Sequence, residues 1–537
     1  MMKRFPRVLW VYALVFALLT SLPYLVGQLS APAGWQYTGA ASIPTGLQFD
    51  FASHMAKMWQ GSRGQWDYQL LFTHESHPGL PLVQGFYVAL GAVARLTPFT
   101  LPLVFHIARF LLTIGVVLSI WSLAGRFFQK SSERWLTVII GTLFSGWSWL
   151  LLIISPHLTA QVGPIEFWLI DAFNGLGILY MPHFAAAIIL QIVVVIAYDD
   201  WVRQGGRKNL SLLTIALALE SILQPYVILL LLPLLVLLTA YHIFSAHRLS
   251  WQRALWLIIP FAVHALLVLY QFLVLNSDPI WANFTAQNQT HSPDPAYYLF
   301  GYLPFVIPIV LGARRFMLED ADDQWWIPVL WIALVAMLIF APFPTQRRYL
   351  LGVQTPLALL AAYGWSRSVI SRLPQSARLL VSVLYCTLAT VAFLAMIIFN
   401  TAKLSQPQQN PELFVQPDEA AGYDWLRQVI TPQDLILTTF DEDGTGSGHR
   451  LVAALGVRVF LGHWIETADF KQKQALVRQF YTSSTGDEWR QSFLKQTGVT
   501  YIWYDESARQ QGTWNPQESS YLQPVFTSLR VSIYKVN

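Results

Sequence analysis

The chain has 537 residues, of which 54% are hydrophobic and only 12% are charged, whereas an ordinary globular chain has about 25% charged residues. This composition excludes a soluble enzyme and indicates a polytopic α-helical membrane protein. The net charge of +4 comes from cations dispersed between apolar segments, so nothing indicates a nucleic-acid partner. The single cysteine, Cys386, cannot form a disulfide within the chain and gives no information on compartment.

Apolar segments long enough to cross a hydrocarbon core of about 30 Å recur through the first 400 residues. Lysine and arginine concentrate in cytoplasmic loops, and the basic connections all become cytoplasmic if the N-terminus is inside and the chain crosses about eleven times. The first apolar segment could also be a cleaved signal peptide, but an uncleaved membrane span fits the sequence better. The predicted spans are residues 8–27, 103–125, 135–154, 182–200, 210–226, 227–245, 254–275, 297–312, 325–341, 350–366 and 379–400.

A long loop, residues 28–102, follows the first span and lies outside the cytoplasm in this topology. Within it, apolar residues recur at helical spacing between Pro81 and Pro98, over only about four turns. That length is too short to cross the bilayer comfortably, and counting it as a span would place every later basic loop outside. The pattern therefore predicts an amphipathic helix on the outer membrane surface.

After residue 400 the long apolar runs end, and Gln, Asp, Thr and Gly become common. Helical patterns over residues 417–429 and 467–481 alternate with strand patterns over 435–439, 499–503 and 525–534. We therefore predict two domains. Residues 1–400 form the transmembrane domain with its large first loop, and residues 401–537 form a small extracytoplasmic mixed α/β domain.

The order of motifs in the first 400 residues resembles a known superfamily. The large outer loop opens with an acid, Asp50, and has a turn at His77-Pro78-Gly79 before the surface helix; the stretch HIARFLLTIGVVLSIWSLAGRFF follows. This layout resembles the GT-C superfamily of polytopic glycosyltransferases, and protein O-mannosyltransferases and lipid A aminoarabinose transferases are similar in layout. The stretch QRRYLLGVQTPLALLAAYG is similar to a family segment, Arg-Tyr-Leu-x-Pro, that opens a late span. The family turn is His-Pro-Pro-like, so Gly79 is a departure.

The resemblance implies transfer of a sugar from a polyprenyl-phosphate donor to an extracytoplasmic acceptor hydroxyl, with inversion and with the loop acid as general base. Asp50 matches that acid, and attack by a hydroxyl requires a group that takes its proton. From residue type alone, the alternative is that Asp50 caps a helix over residues 52–60. Glu75 is the candidate second acid, contacting donor or acceptor.

Arg347 and Arg348 lie in a short loop that the topology places outside, where arginine is disfavoured. Guanidinium groups match phosphate oxygens through paired hydrogen bonds, so we assign at least one of the two to the donor phosphate. The alternative is contact with lipid headgroups. Arg109, near the outer end of the second span, is a further phosphate candidate, or it pairs with an acid.

Other polar residues of the predicted outer face are candidates for the wall of a substrate cavity: His54, His74, His77, Glu166, Asp171 and His183. Several are metal-ligand types, but their spacing matches no zinc pattern. We therefore predict no metal site and no cofactor, with a divalent metal as the open alternative. Glu220 and Gln224, one turn apart in a span, either line a site or pair structurally.

The sequence thus predicts a multi-pass enzyme of the plasma (inner) membrane that builds a cell-envelope glycan. Its partners are a polyprenyl-phosphate sugar and a lipid, glycan or protein acceptor. Two rival functions remain: a transporter or flippase of a lipid-linked glycan, with Glu220 and His264 in its pathway, and a non-catalytic glycan assembly factor. Charges at midmembrane would favour the transporter, whereas here the polar residues collect at one face.

Overall fold

The chain divides into two units, each built from segments distant in sequence. The computed structural model describes residues 5–44, 46–159, 163–320 and 323–537, so the basic residues Lys3 and Arg4 lie outside the described part. The helical unit comprises Met1–Ser21, His106–Gln271 and Gln289–Ile398, and the mixed unit comprises Leu22–Phe105, Phe272–Asn288 and Phe399–Asn537.

Within the described residues, six helices are long and apolar enough to cross a membrane, and two bent helix pairs bring the number to eight. The chain is therefore a polytopic helical membrane protein, as predicted. Three further predicted spans coincide with shorter helices, so the count of eleven stays a prediction. The six long helices are Arg7–Ser30, Leu101–Phe127, Pro182–Gln204, Pro225–Phe244, Trp251–Ser277 and Gln375–Leu404. The two bent pairs are Ser131–Leu143 with Ser148–Ile154 and Pro295–Gly301 with Leu303–Leu318. The three shorter helices are Arg207–Leu223, Asp323–Leu338 and Gln354–Gly364.

In its described residues, the mixed unit combines helices with three small sheets. Its helices are Leu47–Ser62 (the loop helix), Gly85–Arg95 (the surface helix), Pro279–Gln287, Pro417–Val429, Ser447–Leu455, Phe470–Tyr481, Asp487–Thr497 and Glu506–Gln511. Its strands are β1 (Gln36–Tyr37), β2 (Asp67–Tyr68), β3 (Leu80–Pro81), β4 (Phe414–Val415), β5 (Leu435–Leu437), β6 (Arg458–Val459), β7 (Tyr501–Tyr504), β8 (Leu522–Thr527) and β9 (Ser532–Val536).

The largest sheet has the strand order β6-β5-β7-β9-β8. Strand β5 runs parallel to both β6 and β7, and β9 runs antiparallel to β7 and β8. Strands β1 and β4 form an antiparallel pair, as do β2 and β3. Strand β1 belongs to the first loop, and β4 belongs to the last part of the mixed unit, Phe399–Asn537, which we call the C-terminal segment. Backbone pairing therefore joins two regions far apart in sequence.

The loop helix and the surface helix approach each other at backbone contact distance. A Cβ atom on Gly61 would lie 1.9 Å from the carbonyl oxygen of Val88, and one on Gly91 would lie 2.0 Å from that of Met58. No side chain fits at either glycine, so these two positions set the separation of the helices. The surface helix confirms the predicted helical pattern, whereas its place at the membrane surface stays a prediction.

The loop helix also contributes to the hydrophobic core of the mixed unit. Phe49 packs with Leu437 and Phe440 in one buried cluster, and Ala52 packs with Leu451 in a second. Burying a side chain as large as Phe49 stabilises by about 1.5–3 kcal/mol. The first loop and the C-terminal segment therefore share two buried hydrophobic clusters.

Candidate functional site

Asp50 and His54 lie one turn apart on the loop helix. This helix begins at Leu47, and its N-cap is Gly46, which has a left-handed backbone (φ 100°). The interpretation of Asp50 as the N-cap is therefore wrong, since glycine tolerates positive φ and starts the helix earlier. Asp50 lies instead in the first turn and is half-buried. The ring of His54 stacks on that of Tyr87, with centroids 3.9 Å apart.

A buried polar cluster surrounds Lys57, which lies two turns after Asp50 on the loop helix. Lys57 Nζ lies 2.8 Å from Glu466 Oε1, and each side chain is only 3% exposed. Ser53 and Tyr68 donate hydrogen bonds to the two oxygens of the same carboxylate. Burial alone would raise the pKa of Glu466, but the charge of Lys57 and the hydrogen bonds from Lys57 and Ser53 hold it below its ordinary value.

Sequence reasoning missed this cluster. The available signal was Lys57, a charged residue seven positions after Asp50 and hence on the same face of the loop helix. A lysine among buried residues of an apolar helix requires a partner. The partner, Glu466, lies in the C-terminal segment, and no local pattern could identify it.

Glu75 forms an ion pair with Lys473, whose Nζ lies 2.6 Å from Glu75 Oε2. Thr73 donates a hydrogen bond to the same oxygen and accepts one from Lys473 at 2.7 Å. Burial opposes ionisation, yet the charge and hydrogen bonds of Lys473 outweigh it, so the pKa of Glu75 is lowered. The carboxylate is therefore suited to accept hydrogen bonds and unsuited to donate a proton near neutral pH.

His74 and His77 flank Glu75 with different partners. His74 Nδ1 lies 3.3 Å from Glu75 Oε1, and burial together with the charge of Lys473 lowers the pKa of His74. His77 closes the loop instead: its Nε2 accepts from the Leu70 N–H at 2.9 Å, and its Nδ1 contacts the Glu75 carbonyl at 2.9 Å. Burial lowers the pKa of His77 as well. Both rings are neutral near pH 7.

In the helical unit, the two predicted phosphate arginines lie on the short helix Gln346–Leu350 and have different surroundings. Arg348 Nη1 lies 3.5 Å from Asp171 Oδ1. The guanidinium of Arg347 lies over the ring of Trp168, 5.8 Å from its centroid. The structure thus brings together three of the predicted residues, Arg347, Arg348 and Asp171, within one unit.

The backbone before these arginines is held firmly. The Arg347 N–H donates to the Thr290 carbonyl at 3.0 Å, and the Thr290 N–H donates to the Pro344 carbonyl at 2.7 Å. The Gln346 side chain accepts from the Ser292 N–H at 2.9 Å. Such bonding fixes the backbone of the segment that carries the two arginines.

Three other predicted residues have local structural contacts in the helical unit. Glu166 is buried; it accepts hydrogen bonds from Ser148 and from the Trp149 N–H. Arg109 is buried and donates to the Thr20 carbonyl and the Ser21 hydroxyl, each at 3.0 Å. His183 packs against the ring of Phe184. Their assignment to phosphate or cavity stays a prediction.

Among the residues that the structure describes, no group of three histidine, cysteine, aspartate or glutamate side chains is arranged to hold a metal ion. His74, Glu75 and His77 are close in sequence, but His77 uses both ring nitrogens in the loop. A metal site at these positions would require the loop to rearrange.

Comparison with known proteins gives structural relatives. No protein-family model matches the sequence, and no curated protein matches it. ArnT from Cupriavidus metallidurans, solved with undecaprenyl phosphate, has a TM-score of 0.52 at 13% identity, covering 98% of this chain and 98% of that one. The archaeal oligosaccharyltransferase AglB from Archaeoglobus fulgidus, in complex with an inhibitory peptide and a dolichol-phosphate, has a TM-score of 0.52 at 13% identity, covering 92% and 69%.

The arabinofuranosyltransferase AftD from mycobacteria has a TM-score of 0.54 at 13% identity, covering 100% of this chain and 42% of that one. The agreement with these structures extends along nearly the whole chain. The protein therefore has the fold of the GT-C superfamily, as the sequence motifs predicted. At 13% identity, the likeness to these structures establishes the fold alone.

Proposed function

We propose that the protein is a membrane glycosyltransferase that moves a sugar from a polyprenyl-phosphate donor to an acceptor hydroxyl of a lipid, glycan or protein outside the cytoplasm. The observation that carries this proposal is the shared fold with ArnT over 98% of both chains, since the ArnT structure is described with undecaprenyl phosphate. In this proposal the protein lies in the inner membrane of a cell that builds an envelope glycan. Its N-terminus is cytoplasmic, and residues 401–537 are extracytoplasmic.

In the proposed reaction, Asp50 takes the proton of the acceptor hydroxyl. The hydroxyl oxygen bonds to the anomeric carbon, and the bond from that carbon to the phosphate oxygen breaks. The phosphate leaves with the bonding electron pair, and the anomeric configuration inverts. Proton transfer to a positioned carboxylate contributes about 10²–10⁴-fold to the rate of such reactions.

The leaving phosphate gains negative charge, and the short helix Gln346–Leu350, which carries Arg347 and Arg348, supplies the opposing positive charge. We assign the phosphate to Arg347, whose guanidinium lies over the Trp168 ring, and the pairing with the nearby acid Asp171 to Arg348. Adjacent side chains on a helical turn point in different directions, so one arginine binds phosphate while the other orients the segment. Paired hydrogen bonds from a guanidinium strengthen as charge develops.

Glu75 is the second carboxylate of the proposal. Its lowered pKa, caused by Lys473 and Thr73 against the opposing effect of burial, keeps it ionised. We assign it to hydrogen bonding with a hydroxyl of donor or acceptor, a task that uses the oxygen not held by Lys473. His54, His74, His77, Glu166, Asp171 and His183 remain the proposed cavity residues.

The test replaces Asp50 by Asn and measures sugar transfer from a polyprenyl-phosphate sugar in membranes containing the full-length protein. We expect a loss of about 10²–10⁴-fold with unchanged protein level. Asp67→Asn is the matched control, since Asp67 is an exposed acid of the same loop. Near-parental transfer by Asp50→Asn would remove the general base from the mechanism.

A further inference from the structure

Three polar side chains of the helical unit are completely buried at the meeting point of two predicted spans. Gln191 lies in the helix Pro182–Gln204, Glu220 lies in the last turn of Arg207–Leu223, and Gln224 follows that helix; their exposed fractions are 0%, 0% and 1%. Gln191 donates a hydrogen bond to Glu220 Oε1 at 3.3 Å. Polar groups at such positions are costly and face the interior of a helix bundle.

Most of their hydrogen-bonding capacity is unused within the described part of the chain. Glu220 Oε2, Gln191 Oε1 and both side-chain polar atoms of Gln224 have no protein partner. A buried polar atom that is left without a hydrogen-bond partner destabilises the fold. Four such atoms on neighbouring residues are difficult to account for as structural pairing, and they match a ligand that both donates and accepts.

The cluster lies close to the end of the helix that carries Glu220. Since Pro225 disfavours helical geometry at Gln224, the helix that carries Glu220 ends within one turn of it. The partner helix continues from Gln191 for more than two turns, to Pro182. The turn at Gln224 therefore lies well short of Pro182, the first residue of the neighbouring helix.

The segment that carries the arginines runs directly past the cluster. Gly352, four residues after Arg348, has φ +86°, and a Cβ atom there would lie 2.2 Å from Gln191 Oε1. Tyr226, two residues after Gln224, packs edge-on against Tyr349 with centroids 6.1 Å apart. The cluster and the proposed phosphate site are therefore neighbours in one unit.

We infer that Glu220, Gln191 and Gln224 bind the hydroxyl groups of the sugar that the donor carries on its phosphate. This inference rests on the proposed function and names the site that reads the transferred sugar. A sugar hydroxyl donates one hydrogen bond and accepts others; a carboxylate accepts, and a carboxamide does both. A ring bonded directly to a phosphate lies beside that phosphate, whereas the acceptor attacks from the opposite face.

The test measures binding of undecaprenyl phosphate and of its glucosyl, mannosyl and arabinosyl forms to the purified full-length protein by tryptophan fluorescence. We expect the parent to bind at least one glycosyl form more tightly than the bare phosphate lipid. In Glu220→Leu and Gln224→Leu this preference falls about tenfold or disappears, because a hydrogen bond to the sugar is lost. Binding of undecaprenyl phosphate itself is unchanged.

Thermal stability separates this role from a structural one. If the atoms serve a ligand, replacement by leucine leaves the apparent Tm of the lipid-free protein unchanged or higher, since an unsatisfied buried group is removed. Gln354→Leu is the matched control: this buried carboxamide accepts from the Asn174 N–H and donates to the carbonyls of Ile140 and Phe144. We expect this control to lose stability and to keep the sugar preference.

The outcomes also separate this inference from the proposed function. A sugar preference retained in both leucine variants, an equal loss of binding for bare and glycosylated lipid, or a parent that binds all forms equally would overturn the inference and leave lipid-phosphate binding in place. A parent that binds none of these lipids would contradict both. A lowered Tm with the preference intact would show that the cluster is structural.

Discussion

Lys57 and Glu466 lie 409 positions apart in the sequence and form a buried ion pair with Nζ 2.8 Å from Oε1. The pair joins the loop helix, which carries the proposed base, to the C-terminal segment. A second ion pair, Glu75 with Lys473, makes the same connection. Two ion pairs therefore connect the C-terminal segment to the first loop, which carries the proposed base Asp50.

Breaking the Lys57–Glu466 pair should destabilise the protein strongly. Lys57→Met leaves a buried carboxylate without its counter-charge, which costs about 3–5 kcal/mol of folding stability. Glu466→Gln likewise leaves the buried ammonium group of Lys57 without its counter-charge. The double variant Lys57→Met/Glu466→Leu should recover much of the loss, because no unpaired charge remains. The measurement is the apparent Tm of the full-length protein in detergent. A double variant as unstable as the two single losses combined would show that the charges do not act as a pair.

Stability should fall as the pH drops below 6.5. Burial lowers the pKa of His463 from 6.5 to about 4, so the folded state resists a proton that the unfolded state accepts. The stabilisation is complete above pH 6.5 and is lost as the pH falls toward about 4, amounting to about 3 kcal/mol at 1.36 kcal/mol per pH unit. The measurement is the Tm between pH 7.5 and 4.

His463→Asn is the matched variant for this experiment. The ring nitrogen Nδ1 of His463 accepts from the N–H groups of Ile465 and Glu466 at 3.1 and 3.2 Å, and an asparagine oxygen can replace it as acceptor. We expect a shallower decline with pH in this variant, even where its Tm at pH 7.5 is lower. Burial also lowers the pKa of His449, so some decline remains. An unchanged slope would assign the pH dependence elsewhere.

Arg347→Lys and Arg348→Lys should have unequal effects on donor binding and turnover. Lysine keeps the charge but cannot form the paired hydrogen bonds of a guanidinium. We expect a fall of about tenfold or more in turnover for Arg347→Lys, the proposed phosphate ligand. A smaller fall is expected for Arg348→Lys, since an ammonium group can still pair with Asp171. If both variants match the parent in binding and turnover, these arginines contact only lipid headgroups.

The topology predicts which positions react with a membrane-impermeant thiol reagent. In a Cys386→Ser background, cysteines introduced at Gln65 and Gly486 should react in intact cells, and one at Gln204 should react only after permeabilisation. Gln65 and Gln204 are exposed, and a Cβ atom on Gly486 meets no neighbouring atom, so all three tolerate the change. Labelling of Gln204 alone in intact cells would invert the orientation and move Asp50 to the cytoplasm.

Composition and apolar periodicity predict the helical character, because burial in a membrane requires long apolar segments that are visible in any window of the sequence. The strand patterns over residues 435–439 and 499–503 correspond to β5 and β7. The pattern over residues 525–534 is a hairpin rather than one strand. The Ser528 N–H donates to the Val531 carbonyl across the turn between β8 and β9, and the strand patterns on both sides conceal that turn.

Contacts between distant segments could not be predicted from local patterns. The start of the loop helix depends on the left-handed Gly46, which a propensity argument does not distinguish from an ordinary loop glycine. Glu75 was a candidate acid, but its partner Lys473 lies in a helix 398 positions away. The sequence identified the chemistry of these residues, and the fold determined which of them are paired.

Mass spectrometry of lipid bound to the purified full-length protein tests the central claim most directly. The protein is purified after incubation with the polyprenyl-lipid fraction of its host membranes, and bound lipid is released and weighed against the same preparation of Arg347→Lys. The account predicts a polyprenyl phosphate carrying a single sugar, retained by the parent and reduced in the variant. Retention of bilayer phospholipids alone would contradict the assignment of this protein as a polyprenyl-phosphate-sugar glycosyltransferase.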